Sequence, residues 1–329
     1  MERVLVRIPN WLGDALLARP LLHAMRRAHP RAELRIVGPA SLLDTLSADP
    51  VADAWEAWPG RRAERAALAA RVAGWRPEAA LVLPPSFSSA WFAWRSGANT
   101  RIGYAHEGRS FLLTHALRRP ARGERHLSDE YLELGRAAGA VPCAAPVLAV
   151  RPASLDAARS LLHARGIEGA PVAILGPGAI YGPAKRWSPE RFAALAVALA
   201  RDGFRVLVCG TRSEAAVCAD VAARAGDCVL SLAGETSLEL QAGLCAVAAL
   251  AVCNDSGLAH LAAAVGTPTV AIFGSTSSAW TAPLGERVRI VQRAPVCSPC
   301  FQRTCAIGYR CLTAIAVADV ERACREVAA

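Results

Sequence analysis

The chain lacks several things, and each absence narrows what it can be. Lysine is nearly missing: of 37 basic residues, Lys185 is the one that is not arginine. A chain that uses arginine for every generic positive charge keeps lysine where a compact ammonium is needed and a planar fork is not. No run of 18 apolar residues occurs, which predicts no membrane-spanning helix. The opening Met-Glu-Arg-Val-Leu-Val-Arg places charges around a short β-branched run and reads as a strand, not a signal peptide. The 11 cysteines, mostly scattered singly, then read as reduced thiols of a cytoplasmic chain and not as a disulfide framework. Low-complexity tracts and internal repeats are absent too. No Gly-x-Gly-x-x-Gly follows the first strand of either half, which argues against a nicotinamide-linked oxidoreductase.

What is present is an ordinary globular composition, 53% hydrophobic and 20% charged over 329 residues, long enough for two domains. The net charge is +9: residues 1–150 contribute +6 (20 Arg less 14 acids) and residues 151–329 contribute +3 (17 basic less 14 acids). Such a balance suits an anionic substrate, an anionic membrane surface or nucleic acid. Continuous apolar runs bounded by Gly or Pro recur at 4–8, 34–37, 80–83, 172–175, 206–209, 250–253, 270–273 and 288–291. Continuity without alternation predicts buried parallel strands. Helical patterns lie between them at 14–28, 128–139, 155–165, 189–201, 213–225, 237–246 and 258–265. The alternation predicts an α/β fold with parallel sheets. It resets across 142–153, where Pro142, Pro146 and Pro152 interrupt a strand-poor stretch. This predicts two domains, 1–150 and 151–329, with ligands at the carboxyl ends of their strands.

Five segments could carry chemistry. The first is Asn10-Trp11-Leu12-Gly13-Asp14 after the first strand. Asp14 reads as a helix N-cap, as a general base for an incoming hydroxyl, or as both. The second, Gly176-Pro177-Gly178 through Gly182-Pro183-Ala184-Lys185-Arg186-Trp187, joins a strand to a helix. Glycines such as Gly178 admit a ligand close to backbone, the helix start favours anions, and Lys185 and Arg186 add cations, so a diphosphate site is predicted. It lacks the Gly-Lys-Ser/Thr of a Walker A loop. The third contains Glu235, a solvated loop acid or an acceptor for ribose hydroxyls. The fourth, Cys253-Asn254-Asp255-Ser256-Gly257-Leu258-Ala259-His260, puts Asp255 at a sheet edge, a helix start at Ser256 and Gly257, and His260 one turn on. The fifth is Cys297-Ser298-Pro299-Cys300 with Cys305 and Cys311, whose later spacings fit free thiols better than a zinc ribbon. In addition, residues 101–125 hold six arginines, among them Arg101 and Arg109, and read as a solvated connector or as a docking surface for an acidic acceptor.

Taken together, these segments resemble the bacterial heptosyltransferases (glycosyltransferase family 9), nearly end to end. Pro9-Asn10-Trp11-Leu12-Gly13-Asp14 matches the family's first turn and Gly182-Pro183-Ala184-Lys185-Arg186-Trp187 is similar to its donor-phosphate loop. Asn254 to His260, followed by Gly266-Thr267-Pro268-Thr269, looks like its sugar-nucleotide segment, and the cysteine segment is similar to the branch that adds the second heptose. Ser256 and Ser275 stand where related enzymes often carry Thr or Pro. The resemblance implies a GT-B fold, two Rossmann-like domains facing a central cleft, the N-terminal one binding acceptor and the C-terminal one ADP-heptose. It implies inverting transfer to a lipid-linked lipopolysaccharide inner core, peripherally at the inner face of the cytoplasmic membrane, without nucleic acid. Asp14 would be the base, Lys185 the phosphate clamp, Asp255 a donor-binding carboxylate and Glu235 the ribose partner. Asn10, Trp11, Arg101 and Arg109 would meet the acceptor. A fixed ammonium and helix-end N–H groups could stabilise the leaving diphosphate, so no metal or other cofactor is expected. Addition of the first or a later heptose, and a non-catalytic sugar-nucleotide sensor, are the alternatives.

Overall fold

Twelve strands form in the computed structural model of the chain, which describes residues 1–328. The first six are β1 (Arg3–Arg7), β2 (Glu33–Gly38), β3 (Ala54–Ala57), β4 (Ala79–Val82), β5 (Thr100–Tyr104) and β6 (His115–Leu117). They make a parallel sheet of order β3-β2-β1-β4-β5-β6. The second six are β7 (Val172–Gly176), β8 (Arg205–Val208), β9 (Val229–Ser231), β10 (Leu250–Asn254), β11 (Thr269–Phe273) and β12 (Val288–Gln292). Their order, β12-β11-β10-β7-β8-β9, is the same doubly wound order read from the other edge. In each sheet the chain reverses direction of winding between its first and fourth strands. Val6 pairs with Ile36 on one side and Leu81 on the other; Val252 pairs with Leu175 and Val270.

All eight apolar runs are strands. The four strands that carry no such run, β3, β5, β6 and β9, lie toward the outside of the sheets. Edge strands need fewer apolar residues because one side of their ladder faces away from the core. β5 and β6 fall inside the arginine-rich stretch at 101–125, which is therefore part of a sheet and not wholly a connector. The predicted helix at 14–28 is two helices, Leu12–Leu17 and Arg19–Ala28, divided at Ala18. Pro20 opens the second, where its missing N–H is tolerated.

The chain divides into two compact units, Met1–Pro146 and Val147 onward, so the boundary falls after Pro146 and not after residue 150. Each unit has its own core. Leu5, Val37, Val82 and Phe92 centre the first. In the second, Trp187 is fully buried, edge-on to Phe192 at 5.2 Å, with its indole N–H donating to the Ile315 carbonyl at 3.0 Å. Among the described residues no helix is long and apolar enough to cross a membrane.

Candidate active site

In the first unit, the central strand β1 ends at Arg7, and the chain turns through Pro9 and Asn10 into the helix Leu12–Leu17. Trp11 occupies the N-cap position, so Asp14 is not the cap; it is the third residue of the helix, half-buried in its first turn. A carboxylate there is favoured by the positive end of the helix dipole. Its charge reaches Tyr131, whose phenol is held well above its ordinary pKa by burial first and by Asp14 second. Trp11 is 61% exposed. Asn10 is exposed and accepts a short hydrogen bond at Oδ1 from the guanidinium of Arg7. Arg7 is buried, stacked 4.3 Å from the Trp58 ring centroid, and its pKa is lowered to about 9 by burial and then by Arg65.

Two of the expected acceptor residues do other work. Arg109 is fully buried, and its guanidinium donates to the carbonyls of Pro84 (2.6 Å), Ser86 (2.9 Å) and Tyr104 (2.9 and 3.1 Å). Arg101 donates to Leu112 O at 2.8 Å and Ala98 O at 2.5 Å. Both arginines tie loops to strands and do not form a docking surface. A buried guanidinium satisfies its five N–H groups on whatever carbonyls the fold offers, and sequence cannot distinguish such an arginine from one facing water. Arg118, Arg122 and Arg125 of the same stretch are exposed.

In the second unit, the loop after β7 and the loop after β10 meet. The Lys185 ammonium lies 2.6 Å from Asp255 Oδ2, with the carboxylate almost fully buried and the lysine 15% exposed. The Tyr181 ring centroid is 5.0 Å from the same ammonium. Asn254, fully buried, braces the two loops: its Oδ1 accepts from Trp187 N–H at 3.0 Å and its amide donates to Pro177 O at 2.7 Å. Asp255 N–H donates to Ile272 O at 2.9 Å. Arg186 folds back, donating to Ala179 O at 3.1 and 3.2 Å, which shapes the loop. Gly178 is buried where a β-carbon would collide with the Glu214 carboxylate. Ser256 takes the N-cap position of the helix Gly257–Ala264 with extended backbone, and His260 is buried within that helix. Glu235 is held in an exposed ion pair, 3.0 Å from Arg165.

The cysteine segment turns out to be the scaffold of this loop. Ala184 N–H donates to Arg303 O at 3.0 Å, and Arg303 Nε donates to Tyr181 O at 2.7 Å. Ser275 N–H donates to Ala184 O at 3.1 Å, and Ser275 O accepts from the N–H groups of Cys300 (3.0 Å) and Phe301 (2.8 Å). Tyr181 Oη makes a short hydrogen bond to Phe301 O. Cys297 and Cys300 are exposed free thiols, Cys305 Sγ accepts backbone N–H groups at 3.3 and 3.4 Å, and Cys311 is buried. Among the described residues no three His, Cys, Asp or Glu side chains are grouped to hold a metal ion.

Two residues of this site carried no signal in the sequence. Thr276, buried, donates from Oγ1 to Asp255 Oδ2 at 2.5 Å. Tyr181 is visible in sequence only as one residue of a turn. Thr276 is brought in from a segment 21 residues beyond Asp255, whereas Tyr181 belongs to the Lys185 loop itself.

Residues 65–309 match the family model for glycosyltransferase family 9 (heptosyltransferase). Lipopolysaccharide heptosyltransferase 2 of Salmonella typhimurium is 31% identical over 309 residues, 88% of each chain. The structure titled E. coli ADP-heptose lps heptosyltransferase II is 26% identical, with a TM-score of 0.85 over 100% of this chain and 98% of that one. A family 9 glycosyl transferase from Veillonella parvula, 20% identical, shares the fold with a TM-score of 0.87 over 99% and 97% of the two chains. The chain thus has the GT-B fold of two Rossmann-like units and is a glycosyltransferase, a member of family 9, the heptosyltransferases.

Proposed function

We propose that this enzyme transfers a heptose from ADP-heptose to a heptose of the lipopolysaccharide inner core. The observation that carries the reading is the Lys185–Asp255 pair at the carboxyl ends of β7 and β10. In a doubly wound sheet that is the ligand crevice, and the chain around it is akin to heptosyltransferase 2 proteins over most of its length. The donor diphosphate sits against Lys185 and the loop around Gly178. Asp255, Ser256, Gly257 and His260 face the sugar and phosphates. Glu235 accepts from the adenosine ribose once it leaves Arg165, a step of small cost because exposed ion pairs are weak.

The reaction is a direct displacement. An acceptor hydroxyl oxygen bonds to the anomeric carbon as the bond from that carbon to the β-phosphate oxygen breaks. The hydroxyl proton passes to the Asp14 carboxylate, and ADP leaves with one added negative charge, which Lys185 stabilises as it develops. Configuration at the anomeric carbon inverts, as when a carboxylate base acts from the face opposite the leaving group. The acceptor is held by the first unit, around Asn10 and Trp11 and by exposed arginines such as Arg118 and Arg122, whose charge also favours the anionic inner face of the cytoplasmic membrane.

Purified protein incubated with ADP-heptose and a panel of truncated lipopolysaccharides, read by mass, tests this. Addition of one heptose to the acceptor that ends in a single heptose is expected, and it should persist in excess chelator. Transfer only to a heptose-free core, or only in the presence of added divalent cation, overturns the acceptor or the metal-free reading respectively.

A further inference from the structure

Asp255 receives two donors on one oxygen. Lys185 Nζ lies 2.6 Å from Oδ2, and Thr276 Oγ1 lies 2.5 Å from the same atom. Thr276 is itself held: its carbonyl accepts from Gln292 Nε2 at 2.8 Å, and Gln292 Oε1 accepts from Ser278 Oγ at 2.6 Å. Gln292 closes β12, so a chain of hydrogen bonds runs from the sheet edge to the ammonium. All of Asp255, Thr276 and the Lys185 contact lie out of bulk water, where one hydrogen bond to a charged group counts for more than it would at the surface.

We propose that Thr276 is a positioning residue for donor binding: its hydroxyl aims the Asp255 carboxylate and loosens that carboxylate's hold on Lys185, so that the ammonium can pass to the donor diphosphate. The proposal rests on the reading of this loop as the donor site. The physical argument is competition. A carboxylate oxygen and a phosphate oxygen want the same ammonium. A carboxylate whose Oδ2 already accepts from a hydroxyl has part of its charge satisfied and binds the ammonium less tightly. The same bond fixes the rotation of the carboxylate, so that Oδ1, which takes neither bond, keeps one direction for a sugar hydroxyl. Valine has the shape of threonine without the hydroxyl. With it, Lys185 is the sole one of these two donors left on Asp255 and is held more firmly in the ligand-free state.

Steady-state kinetics of Thr276→Val and Thr276→Ser, with ADP-heptose and acceptor varied in turn and ADP affinity measured by calorimetry, test this. T276V should raise the donor KM and the ADP Kd about tenfold, the scale of one hydrogen bond to a charged group. The acceptor KM should stay unchanged, and T276S should restore the donor KM. An unaltered donor KM in T276V, or a T276S as impaired as T276V, overturns the proposal, the second because packing and not the hydroxyl would then matter. Wild-type protein that binds no ADP overturns both this and the donor-site reading, whereas wild type that binds ADP as T276V does removes the proposal alone. If T276V does not fold, Gln292→Met, which leaves the hydroxyl but frees its loop, is measured in its place; an unchanged donor KM there is equally fatal.

Discussion

Lys185 shows how composition and geometry converge on one side chain. One lysine among 36 arginines suggested a site too narrow for a guanidinium, and the structure gives the walls: a buried carboxylate at 2.6 Å and a tyrosine ring centroid at 5.0 Å. Lys185→Ala is expected to lose donor affinity and turnover together, and Lys185→Arg to regain part of the affinity but less of the turnover, because the larger fork cannot deliver its charge to one oxygen as compactly. Kinetics with ADP-heptose varied measure this, with thermal unfolding alongside because the alanine variant leaves Asp255 without its cation; a fully active K185R would make the lone lysine an accident. Asp14 belongs to the same scale. As the proposed base it acts on the acceptor, so Asp14→Asn should cut turnover about 10²–10⁴-fold while ADP affinity holds. Retention of more than half the wild-type rate would remove it from that role. Both residues could be picked out as candidates in the sequence because each lies on the connection that leaves a buried strand, Asp14 in the first turn of a helix and Lys185 at the end of a short 3-10 turn. Thr276 was not, since its partner Asp255 is reached only when β10 and β11 lie side by side.

At the scale of elements, the outcome turns on which strands are central. β1, β4, β7 and β10 are buried on both faces and announce themselves as unbroken apolar runs. Outer strands such as β6, His-Ala-Leu, have no such pattern and form because a neighbour offers a ladder. The Tyr181–Lys185 loop, the proposed donor loop, depends on a segment more than a hundred residues later in the chain. Gly182 has φ 154°, and a β-carbon there would meet the Arg303 carbonyl oxygen at 2.5 Å, a backbone atom that cannot swing aside. Gly182→Ala should therefore push the cysteine segment off the Tyr181–Lys185 loop and cost about 1–3 kcal/mol of stability, the usual scale of overpacking. Urea unfolding measures that cost, and donor KM should rise with it; a variant of wild-type stability and KM would show that the contact does not shape the loop.

For the whole molecule, the boundary between units is set by anchors on either side of one residue. Arg19 donates to Pro146 O at 2.9 Å, and Leu148 N–H donates to Ala264 O at 2.7 Å. Arg19 is in turn ion-paired with buried Asp49 at 2.8 Å, which also takes His23 Nε2 at 2.9 Å. Burial alone would raise the Asp49 pKa, but the His23 hydrogen bond and the Arg19 charge outweigh it and hold the carboxyl below its ordinary value. A depressed folded-state pKa means stability that is complete above the unfolded value of about 3.9 and is lost as pH falls through the folded one. Asp49→Asn strands Arg19 and should cost about 3–5 kcal/mol at neutral pH. Its deficit against wild type should shrink in acid. Urea midpoints across the acid range check this, and a deficit independent of pH would refute it. The chain by itself determined the two α/β units, eight of the twelve strands and the residues that follow β1, β7 and β10, because continuous apolar runs and turn chemistry are local properties written in consecutive residues. Only the tertiary structure decided that Arg101 and Arg109 are internal ties, that Glu235 pairs with Arg165, that the cysteine segment props the Tyr181–Lys185 loop, and that Thr276 shares an oxygen with Lys185. Apart from the Arg101 ties, which span only 3 and 11 residues, each of these joins segments distant in sequence, and a side chain's partner is chosen by which backbone arrives beside it.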